Sequence, residues 1–242
     1  ISFRMVSALS ILKLIPYPPG VIKQGEVIFK GRDLMKLSNA ELEDIRGNEI
    51  SMIFQEPSTA LNPVMPIGKQ IEENILRHGA VEDKNLTEED RERFKGLSLA
   101  QRARKRAAEL LAMVDIPNPQ TRLKDYPYQF SGGMQQRAMI AMAMSCNPEI
   151  LICDEPTTAL DVTVQAQVLE QLNSLRQEFG TALILITHNL GVVARYADSV
   201  KVMYGGKIIE EGDPTAIFED PHHPYTLGLP LQQGCVIVIM AR

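Results

Sequence analysis

Three titratable side chains follow two apolar runs in the second half of the chain. The run from Ile150 to Cys153 is followed at once by Asp154 and Glu155, and the run from Ala182 to Ile186 comes shortly before His188. Near-continuous apolar runs of this length are typical of strands buried on both faces of a parallel sheet. Ligands of such sheets bind at the carboxyl ends of the strands. We therefore expect Asp154, Glu155 and His188 to lie close to one ligand.

Adjacent carboxylates at a strand end can divide two chemical tasks. One carboxylate can hold Mg2+ while the other polarises a water molecule, which is what phosphoryl transfer to water requires. An Asp-Glu pair by itself is more often an ordinary acidic strand end. The four apolar residues before the pair and Pro156 after it favour the functional interpretation.

Ser131-Gly132-Gly133 offers backbone donors instead of a charged group. These residues run into Met134 to Ser145, which is rich in Met, Ala and Ile and predicts a helix. At the N-terminus of a helix, the dipole and the unpaired N–H groups both favour phosphate, and glycine leaves the approach open. A plain capped helix is the competing interpretation. His188 and Gln55 mean little singly, and their value lies in following predicted strands in the same chain.

The segments around these residues predict alternating strands and helices. Apolar residues between the two runs recur at helical spacing from Val164 to Phe179, which predicts strand, helix, strand. The other predicted elements are a helix over 6–15, a strand and turn over 25–34, a helix with the capping box Ser38 and Glu41, a strand over 50–54, helices over 67–78 and 98–114, a hairpin over 199–211 around Gly205-Gly206, and a helix that begins after Asp213. The charged stretch 81–96 predicts a mobile insertion. The apolar run from Cys235 to Ala241 predicts an extra edge strand or a disordered end.

Composition excludes several classes of protein. The 242 residues are 45% hydrophobic, enough for one large domain or two small ones. A net charge of -5 argues against a nucleic-acid partner. Cys146, Cys153 and Cys235 lack metal-ligand spacing and cannot all pair, which indicates a reducing, cytosolic setting. No apolar run approaches the ~20 residues of a membrane-spanning helix, and no signal peptide is visible, so we expect any membrane role to be peripheral.

Taken together, these motifs resemble those of the ATPase subunits of ATP-binding cassette (ABC) transporters. The resemblance covers about Val6 to Pro230. It rests on Ser131 to Gln135 (the family signature), Ile150 to Glu155 (the Walker B strand), Ala159-Leu160-Asp161 (the D-loop), His188 (the switch histidine) and Gln55 (the Q-loop). Three shorter segments resemble the branch that imports dipeptides, oligopeptides and nickel: Asn62-Pro63-Val64, Gln70-Ile71-Glu72 and His223-Pro224-Tyr225-Thr226.

The resemblance implies both a fold and an activity. The implied fold class is α/β, a P-loop NTPase-like (RecA-like) parallel-sheet core with an inserted α-helical subdomain and a peripheral β-hairpin. We expect an N-terminally incomplete ATPase core over 1–57, the helical subdomain with the signature over 58–147, the rest of the core over 148–230 and an atypical apolar tail over 231–242. The implied activity is binding and hydrolysis of ATP with Mg2+, which energises import of peptides or nickel across the cytoplasmic membrane.

The resemblance also assigns a role to individual residues. Glu155 would be the general base for the attacking water, and Asp154 would position Mg2+ through its water shell. His188 and Gln55 would contact the γ-phosphate and the metal with its water. The remaining implied ATP-binding residues are Ser131, Gly132, Gly133, Gln135 and Asp161. Because the family's cassettes work in pairs, the signature residues would serve the nucleotide bound on the partner.

The same resemblance implies the partners of the chain. They are a second ABC ATPase subunit in a homodimer or heterodimer, transmembrane permease subunits and, indirectly, an extracytoplasmic substrate-binding protein. Gln55 and the helical segment after it would face the permease subunits. The expected location is the cytoplasmic face of the cell membrane, and no nucleic acid is expected as a partner.

One motif of the family does not occur in these residues. The Walker A loop, G-x-x-x-x-G-K-[ST], cradles the phosphates of ATP, yet Gly68-Lys69 and Gly206-Lys207 lack both the following hydroxyl and the upstream glycine. Aligning Ala8 to Leu12 with the helix that follows the loop puts Phe3, Arg4 and Met5 where Gly, Lys and Ser/Thr should stand. We therefore expect an N-terminal truncation, and we expect the chain by itself to bind ATP poorly.

Two alternative functions stay open on the sequence. A non-hydrolysing regulatory or partner-site cassette is favoured by the missing loop. A cassette ATPase of DNA repair or translation would carry long heptad arms, zinc-binding cysteines or a second cassette, and none is present in these residues. The tail after Leu229 also departs from the usual ending of the family.

Overall fold

Contacts along the chain divide the molecule into two units. The computed structural model describes residues 8–15, 20–157, 161–229 and 235–240. The first unit comprises Ile1–Arg46, Ile152–Glu155 and Ala182–Arg242, and the second comprises Gly47–Leu151 and Pro156–Thr181. The division predicted from the sequence, with boundaries after residues 57, 147 and 230, stays a prediction.

The first unit contains most of the strands. A small antiparallel pair, β1 and β2, precedes helix α2, whose N-terminus has the predicted capping box of Ser38 and Glu41. The elements of this unit are α1 (which includes residues 8–11), β1 (Ile28–Phe29), β2 (Arg32–Asp33), a 3-10 turn (Leu34–Lys36), α2 (Asn39–Ile45), the end of β4 (Ile150–Asp154), β5 (Ala182–Thr187), α10 (Leu190–Tyr196), β6 (Ser199–Tyr204), β7 (Lys207–Gly212), α11 (Pro214–Glu219), α12 (Pro224–Gly228) and β8 (Cys235–Met240).

The strands of the first unit follow the order β4-β5-β8-β6-β7. β8 pairs antiparallel with β5, with Thr187 opposite Val236, and antiparallel with β6, with Val200 opposite Val238. β5 and β6 therefore run in the same direction, with β8 between them in the opposite direction. The prediction of an edge strand or a disordered end for residues 235–241 is wrong, because β8 is an interior strand of the sheet.

Burial explains why the C-terminal strand lies inside the sheet. Val236, Val238 and Met240 are at most 2% exposed, and Ile237 and Ile239 on the opposite face are half-buried. A strand that is apolar on both faces gains most free energy where both faces are covered.

The outer strand of the sheet is β7, which pairs with β6 through the predicted hairpin. The turn glycines of this hairpin, Gly205 and Gly206, have φ values of 56° and 80°. Those angles match the favoured two-residue hairpin turn.

The second unit is mainly helical. Its elements are β3 (Ile50–Ile53), α3 (Pro57–Ala60), α4 (Ile67–Arg77), a 3-10 turn (Asp83–Asn85), α5 (Glu88–Arg93), α6 (Leu99–Met113), α7 (Pro119–Arg122), a second 3-10 turn (Pro127–Gln129), α8 (Gly132–Ala143), the start of β4 and α9 (Val162–Phe179). Helix α8 packs against β3, α3, α4, α6 and α9. The capping box of Ser98 and Gln101 begins α6, as predicted.

The charged stretch 81–96 differs from the expectation of a mobile insertion. It forms a 3-10 turn and helix α5, and Val81, Leu86 and Phe94 are at most 8% exposed. Three buried apolar residues attach this stretch to the rest of the unit, while its charged residues face solvent. None of the described helices is long and apolar enough to cross a membrane.

Candidate functional site

Asp154 and Glu155 lie at the carboxyl end of β4 and are buried. Asp154 is 2% exposed and Glu155 is 9% exposed, after three strand residues that are almost fully buried. The backbone N–H of Glu155 donates to the carbonyl oxygen of Ile186 at 2.9 Å. This hydrogen bond fixes the end of β4 beside the end of β5.

Glu155 has an uncommon backbone conformation. Its φ is 46°, in the left-handed region that non-glycine residues rarely adopt. Such conformations cost about 1–3 kcal/mol and occur mainly at functional sites, where the surrounding structure holds them. The chain therefore leaves the strand direction at the residue whose carboxylate the sequence marks as reactive.

The structure places Glu155 next to His188. Nδ1 of His188 lies 3.3 Å from Oε1 of Glu155, and the side chain of His188 is 33% exposed, whereas that of Glu155 is 10% exposed. Just beyond β5, the backbone N–H of Asn189 donates to Oγ1 of Thr187 at 3.0 Å, and the side chain of Asn189 caps α10. The two turns after β4 and β5 thus bring a carboxylate and an imidazole together at one edge of the first unit.

Cys146 and Cys153 are not thiolates at neutral pH. Burial, with the neighbouring Asp154 carboxylate, raises the pKa of the Cys153 thiol, and burial raises the pKa of Cys146 to about 11. A neutral thiol is a poor nucleophile. Cys153, although it precedes Asp154 directly, is therefore not a nucleophile of this site.

The N-terminus of α8 carries Ser131, Gly132 and Gly133. Ser131 is the N-cap, and its Oγ accepts a hydrogen bond from the backbone N–H of Met134 at 3.3 Å. A Cβ added to Gly132 would meet no atom within 4 Å, whereas a Cβ added to Gly133 would lie 3.3 Å from Cγ1 of Val164. The backbone at Gly132 is thus open to a ligand, and Gly133 allows close packing against α9.

Asp161 lies at the N-terminus of that neighbouring helix. Its Oδ1 accepts from the backbone N–H of Val164 at 3.0 Å, so Asp161 is the N-cap of α9. Because Val164 also lies against Gly133, the N-termini of α8 and α9 are neighbours in the second unit. Ala159 and Leu160, which precede Asp161 in the D-loop resemblance, lie outside the described residues.

Gln135 and Gln55 occupy different positions in the second unit. Nε2 of Gln135 donates to the carbonyl oxygens of Pro127 and Phe130, at 2.8 and 3.3 Å, and so holds the turn before α8 in place. Gln55 is half-buried in the bend between β3 and α3, two elements that both pack against α8. Gln135 therefore supports the loop at Ser131, and Gln55 leaves a strand end as the sequence predicts.

A polar network that the sequence did not indicate joins α8 to α9. Arg137 donates to Oδ2 of Asp115 at 3.3 Å and to Oε1 of Gln167 at 3.2 Å. Gln171 donates to the same Oδ2 at 2.8 Å. Asp115 thus receives hydrogen bonds from both helices, and this network joins the middle of α8 to α9. The partners are 22 to 56 residues apart, and no local pattern reveals such a separation.

The chemistry of Asp154 fits a role in holding Mg2+. Mg2+ commonly takes one or two carboxylates and completes its shell with substrate phosphates and water, and Asp154 is a buried carboxylate at a strand end. The described residues contain no group of three or more His, Cys, Asp or Glu that could hold a metal ion alone. For ATP, the open backbone at the N-terminus of α8 provides donors for phosphate, but the 242 residues contain no G-x-x-x-x-G-K-[ST] loop.

Comparison with known proteins agrees with this arrangement. The chain is 50% identical over 228 residues to the oligopeptide transport ATP-binding protein OppD of Bacillus subtilis (strain 168), which covers 94% of this chain and 59% of that protein. It is 51% identical over 208 residues to the dipeptide transport ATP-binding protein DppD of Lactococcus lactis subsp. cremoris (strain MG1363), which covers 86% of this chain and 55% of that protein. The chain therefore spans less than two thirds of the length of these relatives.

Solved structures are similar as well. A dimeric structure of the ATP-binding cassette MJ0796 in a post-hydrolysis state, bound to ADP and Pi, superposes with a TM-score of 0.64 at 26% identity and covers 79% of this chain and 74% of that one. This similarity confirms the predicted α/β fold class of a P-loop NTPase, with a mixed rather than an all-parallel sheet. The family model described as ABC transporter matches residues 9–158, and the chain belongs to that family.

Proposed function

We propose that this chain is the ATP-binding and ATP-hydrolysing subunit of an importer for peptides. The observation that carries the proposal is the contact of 3.3 Å between His188 and the buried carboxylate of Glu155, next to Asp154. A base, an orienting imidazole and a metal-binding carboxylate are what hydrolysis of a phosphoanhydride requires. The names of the relatives, which include oligopeptide and dipeptide transport proteins, support a peptide substrate.

In this proposal Glu155 accepts a proton from the attacking water. The water oxygen bonds to the γ-phosphorus, the bond to the β–γ bridging oxygen breaks, and the products are ADP and inorganic phosphate. His188, partly exposed, holds the carboxylate through Nδ1 and has its other ring nitrogen for a γ-phosphate oxygen. The backbone hydrogen bond from Glu155 to Ile186 holds the end of β4, and with it the base, beside β5.

Mg2+, when bound with ATP, neutralises charge on the β- and γ-phosphate oxygens. Asp154 would hold this ion through its water shell. Burial keeps the Asp154 carboxylate in a region of low dielectric, where its attraction to a divalent cation is stronger than in water.

The proposed partner at the N-terminus of α8 is a second cassette. Ser131, Gly132 and Gly133 would bind the phosphates of the nucleotide held by that partner, with Gln135 supporting the loop and Asp161 at the adjacent helix. The dimeric state of the similar MJ0796 structures supports this pairing. The further proposed partners are permease subunits, which would contact the segment after Gln55 at the cytoplasmic face of the membrane, and indirectly a substrate-binding protein.

The assembled importer provides the test of this proposal. Replacing Glu155→Gln removes the base, keeps the size of the side chain and should lower steady-state ATP hydrolysis by about 10²- to 10⁴-fold. ATP-dependent pairing of the cassettes should persist, since phosphate contacts are retained. Phosphate release and gel filtration measure the two effects, with Glu149→Gln, just before β4, as the matched control. Undiminished hydrolysis in Glu155→Gln would remove Glu155 from its role.

A second candidate function rests on the absence of a G-x-x-x-x-G-K-[ST] loop from these 242 residues. The chain would then act as a non-hydrolysing cassette that offers only its α8 N-terminus to a partner. Calorimetric titration of the chain by itself with Mg-ATP should show no measurable binding, while the full-length OppD of Bacillus subtilis serves as the positive control. A low-micromolar Kd for the chain would contradict this candidate.

A further inference from the structure

His188 is less enclosed than the carboxylate that it contacts. Its side chain is 33% exposed, whereas that of Glu155, with Oε1 3.3 Å from Nδ1 of His188, is 10% exposed. An imidazole that is open to water is not held in one orientation by close packing, and water competes for the hydrogen bond that its ring makes. The position of this ring therefore depends on how the backbone at residue 188 is fixed.

The strand before His188 is anchored on both sides up to its last residue. The carbonyl oxygen of Ile186 accepts from the backbone N–H of Glu155 at 2.9 Å. Thr187 pairs with Val236 of β8 and is the last residue of β5. His188 is thus the first residue beyond the pairing of this strand.

The helix after His188 is anchored as well. Oδ1 of Asn189 accepts from the backbone N–H groups of Gly191 and Val192, at 3.0 and 3.4 Å, so Asn189 is the N-cap of α10. A side-chain acceptor at this position satisfies N–H groups that the helix itself leaves unpaired. Only one residue, His188, therefore lies between the end of the strand and the cap of the helix.

The hydroxyl of Thr187 spans this single residue. The backbone N–H of Asn189 donates to Oγ1 of Thr187 at 3.0 Å. Threonine makes hydrogen bonds of this kind, to the backbone two residues further on, in tight turns. Thr187 is 6% exposed, so its side chain is itself fixed by packing. The bond joins the strand end directly to the helix cap and restricts the backbone at His188.

From this geometry we propose that Thr187 is a positioning residue for His188, a role in ATP hydrolysis that rests on the function proposed above. Its hydroxyl holds the turn in the form that directs Nδ1 of His188 to the carboxylate of Glu155. Thr187 itself touches neither the base nor the nucleotide in this proposal. Without the hydroxyl, the turn relaxes, and the partly exposed imidazole leaves Glu155.

The first test measures ATP hydrolysis by the assembled importer. Thr187→Val removes the acceptor and keeps the shape of the side chain. We expect kcat to fall by about 10- to 10²-fold, because small displacements of a catalytic group have effects of this size. Thr187→Ser keeps the acceptor and should retain most of the activity. An unchanged kcat in Thr187→Val, or equal losses in Thr187→Val and Thr187→Ser, would overturn the proposal.

Thr181→Val is the matched control for a merely structural effect. Thr181 is fully buried, and its Oγ1 donates to the carbonyl oxygen of Pro148 at 2.7 Å. This variant also loses a buried threonine hydrogen bond and should be less stable, yet its kcat should not change. A fall in kcat as large as that of Thr187→Val would mean that loss of stability explains both effects.

A second measurement uses the chain by itself and needs no hydrolysis. With 15N-labelled histidine, long-range 1H–15N spectra of the neutral ring show which nitrogen of His188 carries the proton, and loss of the signal in His188→Gln identifies it. A carboxylate only accepts, so the contact with Glu155 requires the proton on Nδ1. We expect this tautomer in the unmodified chain and in Thr187→Ser, and a mixture of both tautomers in Thr187→Val.

The spectra separate this proposal from the proposed function. The same single tautomer in Thr187→Val as in the unmodified chain would overturn positioning by Thr187, whatever the importer hydrolyses. Undiminished hydrolysis in Glu155→Gln would instead overturn the function itself. Circular dichroism checks the folding of each variant, and Thr187→Ala, which lacks the same acceptor, takes the place of a Thr187→Val variant that does not fold.

Discussion

Glu155 combines two features that seldom occur at the same residue. Its carboxylate is buried beside His188, and its backbone has a φ of 46°. A glycine would adopt this conformation without a steric cost. The backbone conformation at this position therefore favours glycine, whereas the proposed chemistry requires a carboxylate. Retention of a glutamate at a strained position is expected where the side chain has a function.

Substitution at Glu155 separates the backbone cost from the side chain's role. Glu155→Gly and Glu155→Ala both remove the contact with His188, but only glycine relieves the left-handed strain. We expect the free energy of unfolding of Glu155→Gly to exceed that of Glu155→Ala by about 1–2 kcal/mol. Urea denaturation of the two variants measures this difference.

Glu170 provides the matched control for this pair. It is exposed within α9, where glycine is less favourable than alanine by about 0.8–1.0 kcal/mol. The order of the two variants should therefore reverse at Glu170. A Glu155→Ala variant at least as stable as Glu155→Gly, as expected for the pair at Glu170, would mean that Glu155 carries no conformational strain.

At the scale of elements, α5 and its flanking turns form a packed segment although their sequence is highly charged. Residues 88–93 are all charged, which suggests an insertion that lies free in solvent. Phe94, however, is 1% exposed, with the guanidinium of Arg93 4.9 Å and the ammonium of Lys105 5.5 Å from the centre of its ring. Together with the buried Val81 and Leu86, this aromatic ring and its two neighbouring cations attach a helix that has no apolar stripe of its own.

Phe94→Ala tests this attachment. Removal of a buried phenylalanine side chain costs about 3–5 kcal/mol, and we expect a loss of this size in the free energy of unfolding. Tyr128→Ala is the control, because Tyr128 is 74% exposed and its replacement should change stability by no more than about 0.5 kcal/mol. Equal effects of the two variants, measured by denaturation followed by circular dichroism, would support the mobile insertion instead.

At the scale of the whole molecule, the C-terminal segment is part of the core of the first unit. β8 separates β5 from β6, so the last described residues of the chain complete a sheet that begins far upstream. Met240, near the end of the chain, is as buried as the strand residues beside Glu155. The stability of the first unit therefore depends on β8, although this segment departs from the usual ending of the family.

Met240→Ala measures this dependence. Truncation of a buried methionine costs about 2–5 kcal/mol, and we expect a decrease of this size in the free energy of unfolding of the full chain. Ile208→Ala on the outer strand β7 is the control, since Ile208 is 50% exposed and should lose much less. A Met240→Ala variant as stable as the unmodified chain would contradict an interior position for residues 235–240 and support the edge strand or disordered end predicted from the sequence.

The sequence by itself determined the elements that depend on short-range signals. The capping boxes at Ser38 and Ser98, the helix 162–179 and the hairpin at Gly205-Gly206 all agree with the structure. Their signals lie within a few residues, where side-chain caps, periodicity and turn chemistry act directly on the backbone. The chemical types at Asp154, Glu155 and His188 were also visible, because a titratable group directly after an apolar run is itself a local pattern.

Only the tertiary structure decided what depends on residues far apart in the chain. The contact of Glu155 with His188, the network of Arg137, Asp115 and Gln171, and the position of β8 between β5 and β6 all join segments that are separated by 20 residues or more. An apolar strand has the same local pattern at the edge of a sheet as in its interior. An interior position gives the strand more burial and hydrogen bonds on both sides. Whether such a position exists depends on the neighbouring strands, which come from distant parts of the sequence.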